Sequence, residues 1–210
     1  PDLYVSLPAA LEWVARAGRD VEPMELGLLG AQRTSLMSLH PVQQASLFSA
    51  QTGLRRLQTL AALSGQEDSA LEMSLRLEAG NVRVICNMKA LDRHPFVCFA
   101  EWLNLQAVIS VVRSVAGPSW SPEELCFASV YRVPHAVQAA FPDTRILVGQ
   151  THASVLLGRG VLALSTQDTT TSTSDTPASP ATDDAPDAAT AIWEFVSLLR
   201  GMVQPYLADG

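Results

Sequence analysis

Whatever chemistry this sequence performs has to come from four histidines, three cysteines and a modest set of charged side chains. His40, His94, His135 and His152 are scattered. Three of them adjoin proline, at His40-Pro41, His94-Pro95 and Pro134-His135, which is the pattern of loop punctuation rather than of a ligand set. Cys86, Cys98 and Cys126 sit in apolar patterns without CxxC or zinc spacing and read as buried, reduced thiols. The acidic pairs Glu67-Asp68 and Glu123-Glu124 stand in turns before strands and read as solvated loop charges; acid–base catalysis would need two carboxylates to converge in space. Gly158-Arg159-Gly160 is a two-glycine turn, and there is no GxSxG elbow, Walker loop, HExxH, GxGxxG or zinc pattern. The expectation is therefore a chain that is not an enzyme and holds neither metal nor cofactor.

What remains is a group of polar-tipped side chains in apolar surroundings: Glu101, Asn104, Arg113, Tyr131, Arg132 and His135. That combination is the recipe for a small-molecule pocket, an apolar lining with a few groups that fix orientation. Trp102, Tyr131, Arg132 and His135 are expected at its mouth and are the candidate ligand-binding residues. Tyrosine and tryptophan join a large apolar body to a hydrogen-bonding tip, and an arginine prefers an anionic group, so the expected effector is a small, partly apolar acid.

The elements that must position these groups begin with a hairpin over Leu71–Met88. Leu71, Met73, Leu75 and Leu77 alternate with Glu72, Ser74, Arg76 and Glu78, and Val82, Val84, Cys86 and Met88 repeat the pattern after a turn expected at Gly80-Asn81. Helices are expected over Leu7–Ala17, from Met24 through the Leu26–Gly30 LGLLG segment, and over Pro41–Leu63 with an interruption near Gly53. The glycines of LGLLG lower helix propensity but permit close backbone approach. Phe96–Ala116 is apolar around most of its circumference, so it should be a central helix sandwiched between layers. Strands are expected at Leu125–Tyr131, Arg145–Gln150 and Ala153–Leu164, with a short helix opened by Pro134. The pocket belongs between the hairpin, the central helix and the Leu125–Tyr131 strand.

Length and composition fit one globular body: 210 residues, 48% hydrophobic and 17% charged, with no apolar run able to cross a membrane and no secretory signal. The chain begins at Pro1, and the cytoplasm is the expected compartment. Its formal charge is −7, but Asp168, Asp175, Asp183, Asp184 and Asp187 share one stretch without Lys or Arg, which leaves the body near neutral. Neither part suits nucleic-acid binding, which needs clustered cations. Thr166–Thr190 is dominated by Thr, Ser, Asp, Ala and Pro and reads as a flexible tether. An amphipathic helix restarts near Ala188, where Ile192, Phe195, Val196 and Leu199 form an apolar stripe expected to serve dimerisation.

From Phe96 onward the chain resembles the N-terminal effector-binding domain of the AraC family of bacterial transcription regulators, in the branch that includes ornithine-utilisation and quorum or virulence regulators. The resembling frame is the long apolar helix closing on Arg113-Ser114-Val115-Ala116-Gly117, then Pro122, the Leu125–Phe127 LCF strand, Pro134, Phe141, the Arg145–Val148 strand and the apolar segment to Leu164. Leu26–Gly30 is similar to that branch's Gly-Leu-Leu-Gly segment, and Leu199–Gly210 to its linker helix. The segment before LGLLG is shorter than in the family, and the Thr166–Thr190 stretch replaces a short connection. The helix-turn-helix units that define the family are not in these residues.

The resemblance implies an α+β fold, an antiparallel sheet of a hairpin plus two to three strands packed against helices, with a C-terminal linker helix. It divides the chain into a regulatory domain at 1–165, a tether at 166–187 and a linker or dimerisation helix at 188–210. The function implied is effector sensing by a homodimer that reaches DNA only through a further domain, without membrane contact. The competing expectation is a non-transcriptional interaction or adaptor domain whose last helix docks a partner protein.

Overall fold

The computed structural model describes residues 7–165 apart from 35, 37, 38, 40, 68–70, 89, 90, 92 and 93. The expected tether and the helix bearing Ile192, Phe195, Val196 and Leu199 thus lie outside the described residues. In chain order the elements are α1 (Leu7–Ala17), α2 (Pro23–Arg33), α3 (Pro41–Ser49), α4 (Gly53–Glu67), β1 (Glu72–Glu78), β2 (Asn81–Asn87), α5 (Val97–Ala116), β3 (Glu124–Cys126), α6 (His135–Ala140), β4 (Arg145–Leu147), β5 (Ala153–Gly158) and α7 (Arg159–Ala163). The fold is α+β, with a mostly antiparallel five-stranded sheet ordered β1-β2-β5-β3-β4.

The hairpin forms because alternation in both strands sends the same parity inward. Met73 pairs with Cys86, Leu75 with Val84 and Leu77 with Val82, and β5 continues the row with Ala153, Val155 and Leu157. Leu125 of β3 joins it opposite Val155. The turn sits one residue earlier than Gly80-Asn81: Glu78 pairs with Asn81, so Ala79 and Gly80 are its centre, at φ +38° and +98°. Two successive positive φ values are what a two-residue hairpin turn needs, and the alanine takes one of them.

Against the apolar face lies α5, a central layer as its all-round apolarity predicts. It touches β2 and β5 of the sheet and packs against α2 and α4, the last of which also rests on β1. The LGLLG glycines make the α2 contact possible. A Cβ at Gly27 would lie 2.2 Å from Trp102 Cδ1, and one at Gly30 would lie 2.7 Å from the Phe99 ring. The expected interruption near Gly53 separates α3 from α4; Gly53 N–H donates to Leu164 O at 3.1 Å, tying the start of α4 to the end of α7.

Beyond α5 the strands are shorter than their sequence pattern. The expected strand to Tyr131 ends at Cys126 and the one to Gln150 ends at Leu147. Their continuations exchange isolated bonds instead, Gln150 N–H to Phe127 O at 2.9 Å and Gly149 N–H to Ser129 O at 2.8 Å. Gly158-Arg159-Gly160 does not turn one strand into another: β5 stops at Gly158 and α7 follows. β3 and β4 are parallel because α6 carries the chain across between them, a connection that antiparallel neighbours do not need. Among the described residues no helix is long and apolar enough to cross a membrane.

Candidate functional site

A cleft of about 250 Å³ opens at the end of the sheet where β2 stops and β5 starts. Cys86, Asn87 and Met88 supply one wall, Val97 and Glu101 from the first turns of α5 the floor, and Ala128 and Ser129 the wall after β3. Gln150, Thr151, His152 and Ala153 close the remaining side. Three of these sides come from elements the sequence pointed to, the hairpin end, the central helix and the segment following Leu125; the Gln150–Ala153 side does not.

Glu101 builds the wall after β3. Its carboxylate is buried to 1% exposure, an expensive placement unless hydrogen bonds replace water. Oε1 accepts the Ala128 N–H at 2.8 Å and the Ser129 N–H at 3.3 Å, and Oε2 accepts the Ser129 hydroxyl at 2.7 Å. A helix side chain thereby holds a loop that has no ladder of its own. Tyr131 adds a second tie, its hydroxyl donating to Pro95 O just before α5.

The reactive side chains here are not poised for covalent work. Burial pushes the Cys86 thiol up to about 12, with the Glu101 charge adding to the shift, so it is protonated at neutral pH. Ser129 directs its proton to Glu101. His152 has its pKa lowered by burial and by the nearby Arg76 and Arg83 cations, which favours its neutral form. The lining offers Met88 and Val97 as apolar surface and Asn87, Gln150 and Thr151 as hydrogen-bonding groups: an inventory for holding a molecule. Among the described residues no three His, Cys, Asp or Glu side chains gather as a metal site.

None of Trp102, Tyr131, Arg132 and His135 lines this cleft. Trp102, expected at the mouth, is wholly buried, its ring 4.8 Å from that of Phe127 and 5.9 Å from that of Phe141. Tyr131 braces the wall from behind. Arg132 and His135 are exposed, the latter opening α6. Of the other polar candidates, Glu101 alone reaches the cleft; Asn104 donates to Ala100 O and Arg113 to Trp120 O. The lining groups missed from sequence, Asn87 and Gln150–His152, sit at strand ends and in a turn, where residue type carries no mark of what the turn faces.

A second polar cluster occupies the opposite face of the sheet. Glu124, expected as a solvated loop charge, lies in β3 and is 3% exposed. Its Oε1 accepts from Arg83 Nη1 at 2.8 Å and its Oε2 from Arg145 Nε at 2.7 Å, while Arg83 Nε reaches Glu78 at 2.8 Å. Burial pushes the Glu124 pKa up, but the bonds from Arg83, Arg145 and Cys126 outweigh it and hold the group below the usual carboxylate range. Arg83 also donates to Ser154 at 3.2 Å, so the cluster joins all five strands from Glu78 in β1 to Arg145 in β4.

No protein-family model matches the chain. No curated protein matches it either. Among solved structures it is similar to the crystal structure of the transcriptional regulator CdpR from Pseudomonas aeruginosa, with a TM-score of 0.58 at 16% identity, over 79% of this chain and 52% of that one. At that identity the likeness is one of fold, and this chain spans about half the length of the regulator.

Proposed function

We propose that this chain is the ligand-sensing part of a bacterial, cytoplasmic transcription regulator of the AraC type, acting as a homodimer and contacting DNA through a helix-turn-helix domain outside these 210 residues. The observation that carries the reading is the cleft walled by Glu101-held Ala128 and Ser129. A fold shared with a regulator and the AraC-like frame from Phe96 to Leu164 support it. At about 250 Å³ the cleft is just below the roughly 300–1,000 Å³ usual for drug-sized ligands, which suits a metabolite-sized, partly apolar effector with hydrogen-bonding groups. Arg132, on which the expectation of an acid rested, is outside the lining. Because the wall is fixed to α5 by side chains rather than by a ladder, a ligand between them bears directly on the central helix.

Native mass spectrometry of the purified chain, then a thermal-shift screen of small metabolites, tests the reading. A bound molecule, or a shift of a few degrees for one chemical class, is the expected result. Thr151→Trp or Gln150→Trp, at exposed positions on the rim, should fill the cleft and abolish the shift without lowering the unliganded Tm. A shift that survives both substitutions places the ligand elsewhere and sinks the proposal.

A further inference from the structure

The two edges of the sheet differ. β4 is three residues long, the short edge that resists further pairing. β1 has seven residues in unbroken register with β2, contains neither Pro nor Lys, and carries Leu77 at 69% exposure. Among the described residues no strand pairs with its outer edge. We propose that β1 is a self-association edge, through which two copies pair antiparallel about a two-fold axis at Ser74 and join their sheets into one.

Hydrogen-bond phase restricts the pairing. In a hairpin closed by a two-residue turn the flanking pair, here Glu78 and Asn81, is hydrogen-bonded. Glu72, Ser74, Arg76 and Glu78 therefore spend their backbone groups on β2, and Met73, Leu75 and Leu77 aim theirs at the free edge. A second copy must set its own outward-bonding residues opposite these. An axis at Leu75 would place Glu72 opposite the partner's Glu78, and one at Arg76 would face two arginines. An axis at Met73 leaves Leu77 beyond the partner strand. Only the axis at Ser74 satisfies phase, charge and strand overlap together: Met73 faces the partner's Leu75, the partner's Leu77 falls opposite Leu71, and Glu72 meets the partner's Arg76. Symmetry repeats each contact, as an isologous interface requires. Among the described residues this edge is separate from the cleft.

Sedimentation of the full chain over a concentration series decides it, with the mass rising from 22.5 kDa toward twice that value. Arg76→Glu puts like charges opposite each other at two symmetric places and should weaken the dimer about tenfold. Glu72→Arg should do the same, and the double variant Glu72→Arg/Arg76→Glu should restore the wild-type constant by re-creating both pairs with reversed sign. Leu75→Pro removes an N–H that points only to the free edge and should also give monomer, with a circular-dichroism melt showing each variant folded. A monomer at every concentration overturns the proposal, as does a dimer that Phe195→Asp breaks and Arg76→Glu does not. Failure of the double variant to recover overturns the Ser74 register.

Discussion

The two faces of this sheet solve the same problem by opposite means. Toward α5, Val84, Cys86, Leu125, Val155 and Leu157 bury apolar surface against Trp102, Leu105 and Ile109, and nothing there requires a partner of particular sign. On the other face, side chains from five strands are joined by hydrogen bonds centred on one carboxylate. Apolar burial is forgiving of chemistry but not of volume. A charge network is the reverse: each member depends on the others, and a fully apolar replacement can be as stable as the original. The faces should therefore break differently, the first through shape and the second through pairing and pH.

The largest effect is expected at Trp102. It is fully buried and its ring occupies the space that a Cβ at Gly27 would take. Trp102→Ala should cost about 3–5 kcal/mol in denaturant unfolding. Gly27→Ala forces helix α2 away from the indole and should cost about 1–3 kcal/mol. If shape alone governs this face, Gly27→Ala should cost far less in a Trp102→Ala background, because the new methyl group enters the void. Strict additivity of the two would show that they do not share a contact.

A smaller loss, about 1–3 kcal/mol, is expected for Glu124→Gln, which weakens the bonds to Arg83 and Arg145. Its signature is pH. Donors hold the folded-state pKa of Glu124 below the ordinary value near 4.5, so the stability it supplies is present above that value and is lost as pH falls through the lower folded one. Urea melts between pH 6 and 3 should show wild type losing stability in that window, and Glu124→Gln losing less of it. Equal slopes would mean that the cluster contributes no proton linkage. Replacing Arg83 and Glu124 together by methionine and leucine should cost less than Glu124→Gln alone, which no apolar face would do.

The same contrast explains what was legible in the sequence. Periodicity marks any element that buries one side, so α1, the hairpin, α5 and the α3–α4 break follow from the pattern of Leu, Val and Ala. The glycines of LGLLG signal close packing but not against which residue. Charges are harder, because a glutamate in a strand and one in a turn look alike along the chain. Glu124 reads as loop charge until Arg83, 41 positions away, is brought beside it. Arg56 is equally silent, buried to 3% with its guanidinium on Ser114 at 2.6 Å. For the cleft, the polar residue inside an apolar helix, Glu101, was readable as an anomaly. Asn87, Gln150 and Thr151 were not, since nothing local distinguishes a strand end that faces a cavity from one that faces solvent.

The smallest effect tests the device that assigns residues to the two faces. A one-residue slip in the hairpin would exchange them, sending Arg83 inward and Val84 out, so the turn at Ala79-Gly80 holds both arrangements at once. Ala79 sits at φ +38°, in the left-handed region where a Cβ costs about 1–2 kcal/mol. Ala79→Gly removes that cost but adds conformational freedom to the unfolded chain, worth roughly 0.4–1 kcal/mol the other way. The net should be a stabilisation of about 0.5 kcal/mol, given that the first term is the larger. Gly80→Ala, at φ +98° with no compensating relief, should destabilise by more than Ala79→Gly stabilises. Chemical denaturation of the two variants checks the pair. Stabilisation by Gly80→Ala, or a loss with Ala79→Gly, would mean that the turn is not where the register of both faces is set.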